Sequence, residues 1–250
     1  MSDTWPYPLW IAHRGAGKLA PENTLAAFRH GASYGYRAFE CDVKLSADGV
    51  PFLLHDDTLD RTTSGQGDAD SLAWSELARL DAGGWHSRGF AGEPPASLEA
   101  VARYVRRNGF ALNLEIKPMP GHEERTGTVV AEHVRRLWAG EAVPPLLTSF
   151  KPAALKGAWL GAPELPRGLL IETLWSGWFD VARDLECQAV ASLSSLLDAP
   201  LVSQLHHAGM RVLAYTVNDP AEAWRLHRLQ VDGIITDAVD RFSPGEGVRE

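Results

Sequence analysis

The stretch RVLAYTVNDPAEAWRLHRLQVDGIIT, Arg211–Thr236, decides the fold. Arg211–Val217 is short, apolar and β-branched, which reads as a buried strand. Pro220–Gln230 follows, with proline at a helix start and apolar residues at helical spacing over Ala221–Leu229. Gly233–Thr236 is a second apolar strand. Strand, helix and strand within 26 residues form a unit whose strands must run parallel, because the helix returns the chain to its starting edge.

The same alternation extends outward over the chain. Strands are expected at Trp10–His13, Ala38–Leu45, Ala111–Ile116, Leu146–Phe150, Gly168–Glu172 and Ala189–Leu193, besides the two above. Helical patterns occupy Asn23–Tyr34, Leu98–Arg107, Thr126–Trp138 and Ala199–Ala208, and Pro200–Gly209 repeats the proline-start, glycine-stop punctuation. Eight such strands predict a parallel (β/α)8 TIM barrel; a doubly wound open sheet is the alternative, since patterning alone does not show closure. Two features break the rhythm. SADG at Ser46–Gly49 is a turn that folds Phe39–Leu45 back on Val50–His55 as a hairpin. Asp56–Ser97 is polar and glycine-rich with a helical piece near Leu72–Leu80, too long for an ordinary loop, so it reads as a small insertion in a single domain spanning 1–250.

Composition narrows the function. The net charge of -8 disfavours nucleic acid as a partner. Cys41 and Cys187 lack metal or disulfide spacing and read as buried thiols in a reducing compartment. The N-terminus MSDTWPYPLW has no signal-peptide pattern, and no apolar run approaches the roughly 20 residues of a membrane span. A cytoplasmic protein with no stable membrane insertion is expected.

Titratable residues stand at successive strand ends, where barrels place their chemistry. His13 and Arg14 end the first strand. Glu40 and Asp42, two apart, share a face of the second, opposite an apolar face of Phe39, Cys41 and Val43. Glu115 and Lys117 close the third with the same spacing, though alone they also read as a local ion pair. With the hairpin turn centred between Asp48 and Gly49, Asp42 and His55 fall opposite each other. Three converging carboxylates repel unless a cation neutralises them, and all-oxygen ligands suit Mg2+ or Ca2+ better than Zn2+. Arg14 and Lys117 suit a phosphate. Two histidines suit acid and base work near neutral pH. Together these point to phosphodiester cleavage.

In motif order the chain resembles the glycerophosphodiester phosphodiesterase family, over nearly its whole length. The likeness runs through HRG (His13–Gly15), PENT (Pro21–Thr24), FECDVKLSADG (Phe39–Gly49) and PFLLHDDTLDRTTSGQG (Pro51–Gly67). It continues through LDAGGW (Leu80–Trp85), FAGE (Phe90–Glu93), LNLEIKP (Leu112–Pro118), TSF (Thr148–Phe150), AYTVND (Ala214–Asp219) and DGIITD (Asp232–Asp237). The resemblance implies a (β/α)8 barrel that hydrolyses small-molecule glycerophosphodiesters to an alcohol and sn-glycerol 3-phosphate. It implies one divalent cation held by Glu40, Asp42 and Glu115. It also implies a catalytic pair, His13 deprotonating the glycerol hydroxyl and His55 protonating the leaving alcohol, through a cyclic phosphate. Arg14 and Lys117 would stabilise phosphoryl oxygens. Tyr215 stands where the family commonly carries tryptophan, and GEPPASLEA at Gly92–Ala100 departs from the usual pattern.

Other residues have two readings. Glu172, where relatives often have an acid, is a further ligand, a substrate contact or a solvent-facing acid. Asn23 contacts the site or caps the first helix, with Thr24 competing as cap. Asp56 reads foremost as a turn former and secondarily as an orienter of His55. Trp85, Phe150 and Tyr215 line a channel or simply pack. Two alternatives to the leading function stay open: a lysophospholipase D-like phosphodiesterase, and a non-catalytic phosphodiester-binding barrel. Headgroup preference, choice of ion, the order of the histidines and oligomeric state are not set by these motifs.

Overall fold

The computed structural model describes residues 5–245; residues 1–4 of the N-terminal stretch lie outside them. Nine strands occur among the described residues: β1 Trp10–Ala12, β2 Ala38–Leu45, β3 Pro51–Leu53, β4 Ala111–Ile116, β5 Leu146–Ser149, β6 Arg167–Ile171, β7 Ala189–Leu193, β8 Arg211–Tyr215 and β9 Gly233–Thr236. Eight of them pair in parallel in the order β1-β9-β8-β7-β6-β5-β4-β2, and β1 also pairs with β2, which closes the ring. The fold is a (β/α)8 barrel, and the open-sheet alternative is excluded by that closing pair. The helices are α1 Leu25–Ser33, α2 Trp74–Leu77, α3 Leu98–Asn108, α4 Glu123–Leu137, α5 Pro152–Gly161, α6 Trp178–Asp184, α7 Ala199–His207 and α8 Pro220–Arg228.

Helix starts follow their caps. Thr24, Ser97, Asp198 and Asp219 each accept a backbone N–H of the first turn of α1, α3, α7 and α8. Outward residues of the strands, among them Phe39, Cys41, Val43, Leu112 and Leu114, join the helices in the main apolar core. Inward residues, including Ile11, Leu146, Leu170, Leu213 and Ile235, fill the barrel below the site. Cys41 and Cys187 are buried and unpaired, as expected. No helix of the described residues is long and apolar enough to cross a membrane.

The hairpin departs from expectation by one residue. β3 lies antiparallel to β2 with Val43 opposite Leu53 and Leu45 opposite Pro51. The turn holds three residues, Ala47–Gly49, with Gly49 at φ 79 and its N–H donating to the Ser46 carbonyl at 2.9 Å. A glycine in the left-handed region adds that third residue, so the centre falls on Asp48 and Asp42 faces Leu54 rather than His55. His55 lies one step further along. Beyond β3, residues 54–97 carry α2, and Leu54, Leu59, Ala69 and Leu77 pack with Phe52 of β3 in a small apolar cluster. The short helix is narrower than the expected Leu72–Leu80, and α4 starts three residues before the expected Thr126.

Candidate active site

β1 ends at Ala12, a residue earlier than expected, because Arg14 takes a left-handed conformation (φ 50) followed by Gly15 (φ 98). That turn, costing about 1–2 kcal/mol at a non-glycine residue, points the Arg14 N–H at Glu40 Oε2, 3.0 Å away. Asn23, also left-handed (φ 60), does not cap α1; Thr24 does. Asn23 instead donates to Asp42 Oδ2 (2.8 Å) and accepts from the Asp42 N–H (3.0 Å), fixing that carboxylate. Of the four left-handed non-glycine residues among the described residues, these two stand at the site, where strain is held by surrounding bonds, and Glu186 and Gln230 follow helices.

β2 and β4 deliver the acids. Their parallel register sets Asp42 beside Glu115, and side chains of Glu40, Asp42 and Glu115 offer oxygens all within 4.8 Å of one another. Burial and then the Asp42 charge push Glu40 up to about 7 and Glu115 up to about 8. Against the cost of burial, Arg14 and Lys117 hold Asp42 below the usual carboxylate range. Glu40 Oε1 is buried without a hydrogen-bond partner among the described residues. An orphaned buried carboxylate oxygen in a cluster of three acids fits a hard cation with oxygen ligands.

The cations and histidines face the same point. Lys117 Nζ forms an ion pair with Glu115 Oε1 at 2.8 Å and lies 3.8 Å from Asp42 Oδ1. It also lies 3.1 Å from His55 Nε2, to which it donates. His55 Nδ1 donates to Asp56 Oδ1 at 2.7 Å, so Asp56 orients the imidazole and is no mere turn former. His13 Nδ1 meets Asp237 Oδ1 at 2.6 Å, and its Nε2 lies 3.7 Å from Glu40 Oε2. Although burial opposes it, the Asp237 bond and then the Glu40 charge raise His13, holding the ring towards imidazolium. Burial, together with Arg14 and Lys117, lowers His55 despite Asp42.

His13, Arg14, Glu40, His55, Glu115 and Lys117 line one cavity of about 180 Å3, with Phe150 and Tyr215 on its wall. The two rings meet edge to face at 5.8 Å, and the Tyr215 hydroxyl donates to the Ile171 carbonyl at 2.8 Å. Trp85 is not on this wall and is 42% exposed. β6 stops at Ile171, so Glu172 lies beyond the strand, outside the acidic trio, in an adjoining cleft of about 370 Å3 that shares Glu115, Lys117 and Phe150. A larger cavity of about 460 Å3 sits at the opposite, N-terminal ends of the strands between Trp5, Glu164 and Arg211. Wall chemistry rather than size singles out the smaller one.

Sequence reasoning passed over Asp237, Glu22 and Arg61. Glu22 accepts from Arg14 Nη1 at 2.8 Å, and Arg61 binds both Glu22 and Asp56.

Comparisons with known proteins bear on this site. The model of the glycerophosphoryl diester phosphodiesterase family matches residues 13–241. A glycerophosphodiester phosphodiesterase of Caldanaerobacter subterraneus subsp. tengcongensis is 33% identical over 92% of this chain and 93% of its own. A solved phosphodiesterase of Oleispira antarctica, in complex with the product sn-glycerol-3-phosphate, is 36% identical with a TM-score of 0.87, covering 92% of this chain and 93% of that one. A glycerophosphodiester phosphodiesterase structure from Agrobacterium tumefaciens is 29% identical with a TM-score of 0.80, over 94% of this chain and 99% of that one.

Proposed function

The chain belongs to the glycerophosphoryl diester phosphodiesterase family, and from that membership we propose that it hydrolyses small-molecule glycerophosphodiesters to sn-glycerol 3-phosphate and an alcohol. One observation carries the reading. Two carboxylate-oriented histidines, two cations and two of three clustered acids line a single cavity at the C-terminal end of the barrel, and the third acid, Asp42, is buried within the same cluster.

Glu40, Asp42 and Glu115 would hold one divalent cation, Mg2+ or Ca2+, which when bound supplies Lewis-acid pull on a phosphoryl oxygen and offsets the carboxylate charge. Arg14 and Lys117 take the remaining phosphoryl charge. Arg14 is free to do so because its Nη1 is anchored on Glu22 while its Nη2 carries no hydrogen bond among the described residues. The glycerol hydroxyl loses its proton to one imidazole and attacks phosphorus; the other imidazole protonates the departing alcohol oxygen. Water then opens the cyclic phosphate with the two roles exchanged.

As the protein's own charges stand, the lowered His55 leans towards the base and the raised His13 towards the acid. The order implied by the family resemblance, with His13 as base, requires the Glu40 charge to be taken up elsewhere. Glu40 is one of the three proposed ligands, so a bound cation would weaken that cause, while the Asp237 hydrogen bond, the larger one, would still favour the imidazolium.

Purified protein given glycerophosphocholine or glycerophosphoethanolamine should release glycerol 3-phosphate, and chelator should stop it. Release from neither, nor from other headgroups, with either ion supplied refutes the proposal. Binding without turnover, unchanged by His13→Ala, would make it a phosphodiester-binding barrel instead. A second reading, action on lysophospholipids, is favoured by Leu174 and Trp175. They are 50% and 37% exposed, two and three residues after Glu172, which itself lines the adjoining cleft; rates on acylated and deacylated substrates compared side by side decide between the two. The two unpaired thiols support a cytoplasmic site of action.

A further inference from the structure

Arg61 stands in the segment between β3 and α3, inside the loop closed by the Thr58–Asp68 bridge. Its backbone is fixed from beneath. Leu59 is fully buried in the small apolar cluster, Thr62 is buried, and the Thr63 N–H and hydroxyl both donate to the Leu59 carbonyl. Between those anchors the Arg61 side chain reaches across to two carboxylates. Its Nε donates to Asp56 Oδ2 at 2.6 Å and its Nη1 to Glu22 Oε2 at 2.8 Å. Its Nη2 donates to both Glu22 Oε1 (2.8 Å) and Asp56 Oδ1 (2.9 Å).

Those last two oxygens are the ones the catalytic cavity uses. Glu22 Oε1 also accepts from Arg14 Nη1 at 2.8 Å, and Asp56 Oδ1 also accepts from His55 Nδ1 at 2.7 Å. A single guanidinium group therefore holds, by the same nitrogen, the carboxylate that fixes the phosphate-binding arginine and the carboxylate that fixes a catalytic histidine. Lysine, a point charge with one nitrogen, cannot make four bonds in a plane to two carboxylates. Asp56 is held well below the ordinary carboxylate range, Arg61 being the largest cause, so it remains an ionised acceptor for His55.

We infer that Arg61 is a positioning residue of the reaction, acting through Asp56 on His55 and through Glu22 on Arg14, and that the inserted segment is thereby part of the catalytic apparatus. The inference rests on the proposed phosphodiesterase reading.

Steady-state rates of Arg61→Ala, Arg61→Lys, Asp56→Asn and the Arg61→Ala/Asp56→Asn pair, with thermal unfolding of each, test it. Partners one step removed from a reacting group are worth about 10–100-fold. Arg61→Ala should lose kcat by at least about tenfold while its melting temperature stays near wild type, with Arg61→Lys between. The double variant should be little worse than Arg61→Ala alone, since the Asp56→Asn loss runs along the His55 arm that Arg61→Ala already breaks. Guanidinium added at a non-denaturing concentration should restore part of the Arg61→Ala rate and none of the Asp56→Asn rate. A kcat for Arg61→Ala within twofold of wild type overturns the inference, as do losses that multiply in the double variant. Should Arg61→Ala fail to fold, Arg61→Gln, which keeps part of the aliphatic stem and drops the charge, is judged by the same criteria. A wild-type protein inactive on every headgroup defeats the parent reading instead, and is scored separately.

Discussion

Replacing Asp237 by asparagine removes one charge and no volume, and the surroundings of that side chain set the consequences. The carboxylate accepts from His13 Nδ1 at 2.6 Å through Oδ1 and from Asn218 Nδ2 at 3.2 Å through Oδ2. Asn218 is not free to flip, because its Oδ1 accepts from the Asp237 N–H at 2.8 Å and from the Thr236 hydroxyl at 3.2 Å. An asparagine that keeps its oxygen on His13 must therefore turn an NH2 group against the NH2 of Asn218. One that turns the other way presents a donor to Nδ1 and favours the wrong tautomer. A hydrogen bond to a charged group is worth about 1.5–3 kcal/mol, so kcat should fall by about 10–150-fold. Complete loss of the correct tautomer, as in serine-protease triads, sets a ceiling of about 10^4. KM should change little, since Asp237 does not line the cavity. Stability carries a second signature. His13 is raised, so its contribution is full below its unfolded value of about 6.5 and is lost as pH rises through the folded value; Asp237 is lowered, so its contribution is present above about 3.9 and is lost as pH falls. In chelator, Asp237→Asn should melt furthest below wild type between about pH 4 and 6.5, with the gap narrowing above that window. Initial rates of glycerol 3-phosphate release, NMR titration of His13 and melting curves across pH measure all three. A kcat within twofold of wild type, with His13 titrating as before, refutes the reasoning.

Two of the three clustered acids make a prediction of opposite sign to ordinary carboxylates. Glu40 at about 7 and Glu115 at about 8 bind protons in the folded state that they release when unfolded, so stability in chelator should fall as pH rises from about 4.5 to 8. Mg2+ or Ca2+ should flatten that fall and release protons on binding, and Glu115→Gln should bind the ion far more weakly by calorimetry; a melting temperature indifferent to both ions and to pH contradicts the site. Gly17→Ala should hurt fold and function together. Gly17 sits at φ 58 and an added Cβ would come 2.0 Å from the Asp237 carbonyl oxygen. The left-handed conformation alone costs about 1–2 kcal/mol. A loss of at least about 2 kcal/mol in urea unfolding, accompanied by lower kcat as Asp237 is displaced from His13, is expected; wild-type stability would count against the packing described.

The range of each signal explains why some features were legible in the chain and others were not. β2, β4, β7 and β9 occupy the spans predicted for them: β7 and β9 as near-continuous apolar runs, β2 and β4 as strands whose apolar outer faces alternate with polar residues. Strand ends at the site shifted. β1 stops before His13 and β6 before Glu172, where chemistry replaces the apolar pattern and left-handed Arg14 turns the chain inward. Glu40, Asp42 and Glu115 were legible because their i, i+2 spacing and the adjacency of β2 and β4 are both strand properties. The hairpin slip was a matter of one glycine in the turn.

The orienting acids were harder to see, for different reasons. Asp56 is next to His55, but aspartate after a strand is so common in turns that adjacency carries little information. Arg61 and Glu22 lie 39 residues apart, and nothing in either segment points to the other. Asp237 is 224 residues from His13, yet its signal was present. Closure of an eight-stranded barrel places the last strand beside the first, and Ala12 pairs with Thr236. The residue after β9 must therefore emerge beside the residue after β1. Once DGIITD is read as the last strand and HRG as the end of the first, an aspartate at 237 is the natural partner for a histidine at 13. Barrel closure makes that contact local in space, although the pair lies near opposite ends of the chain.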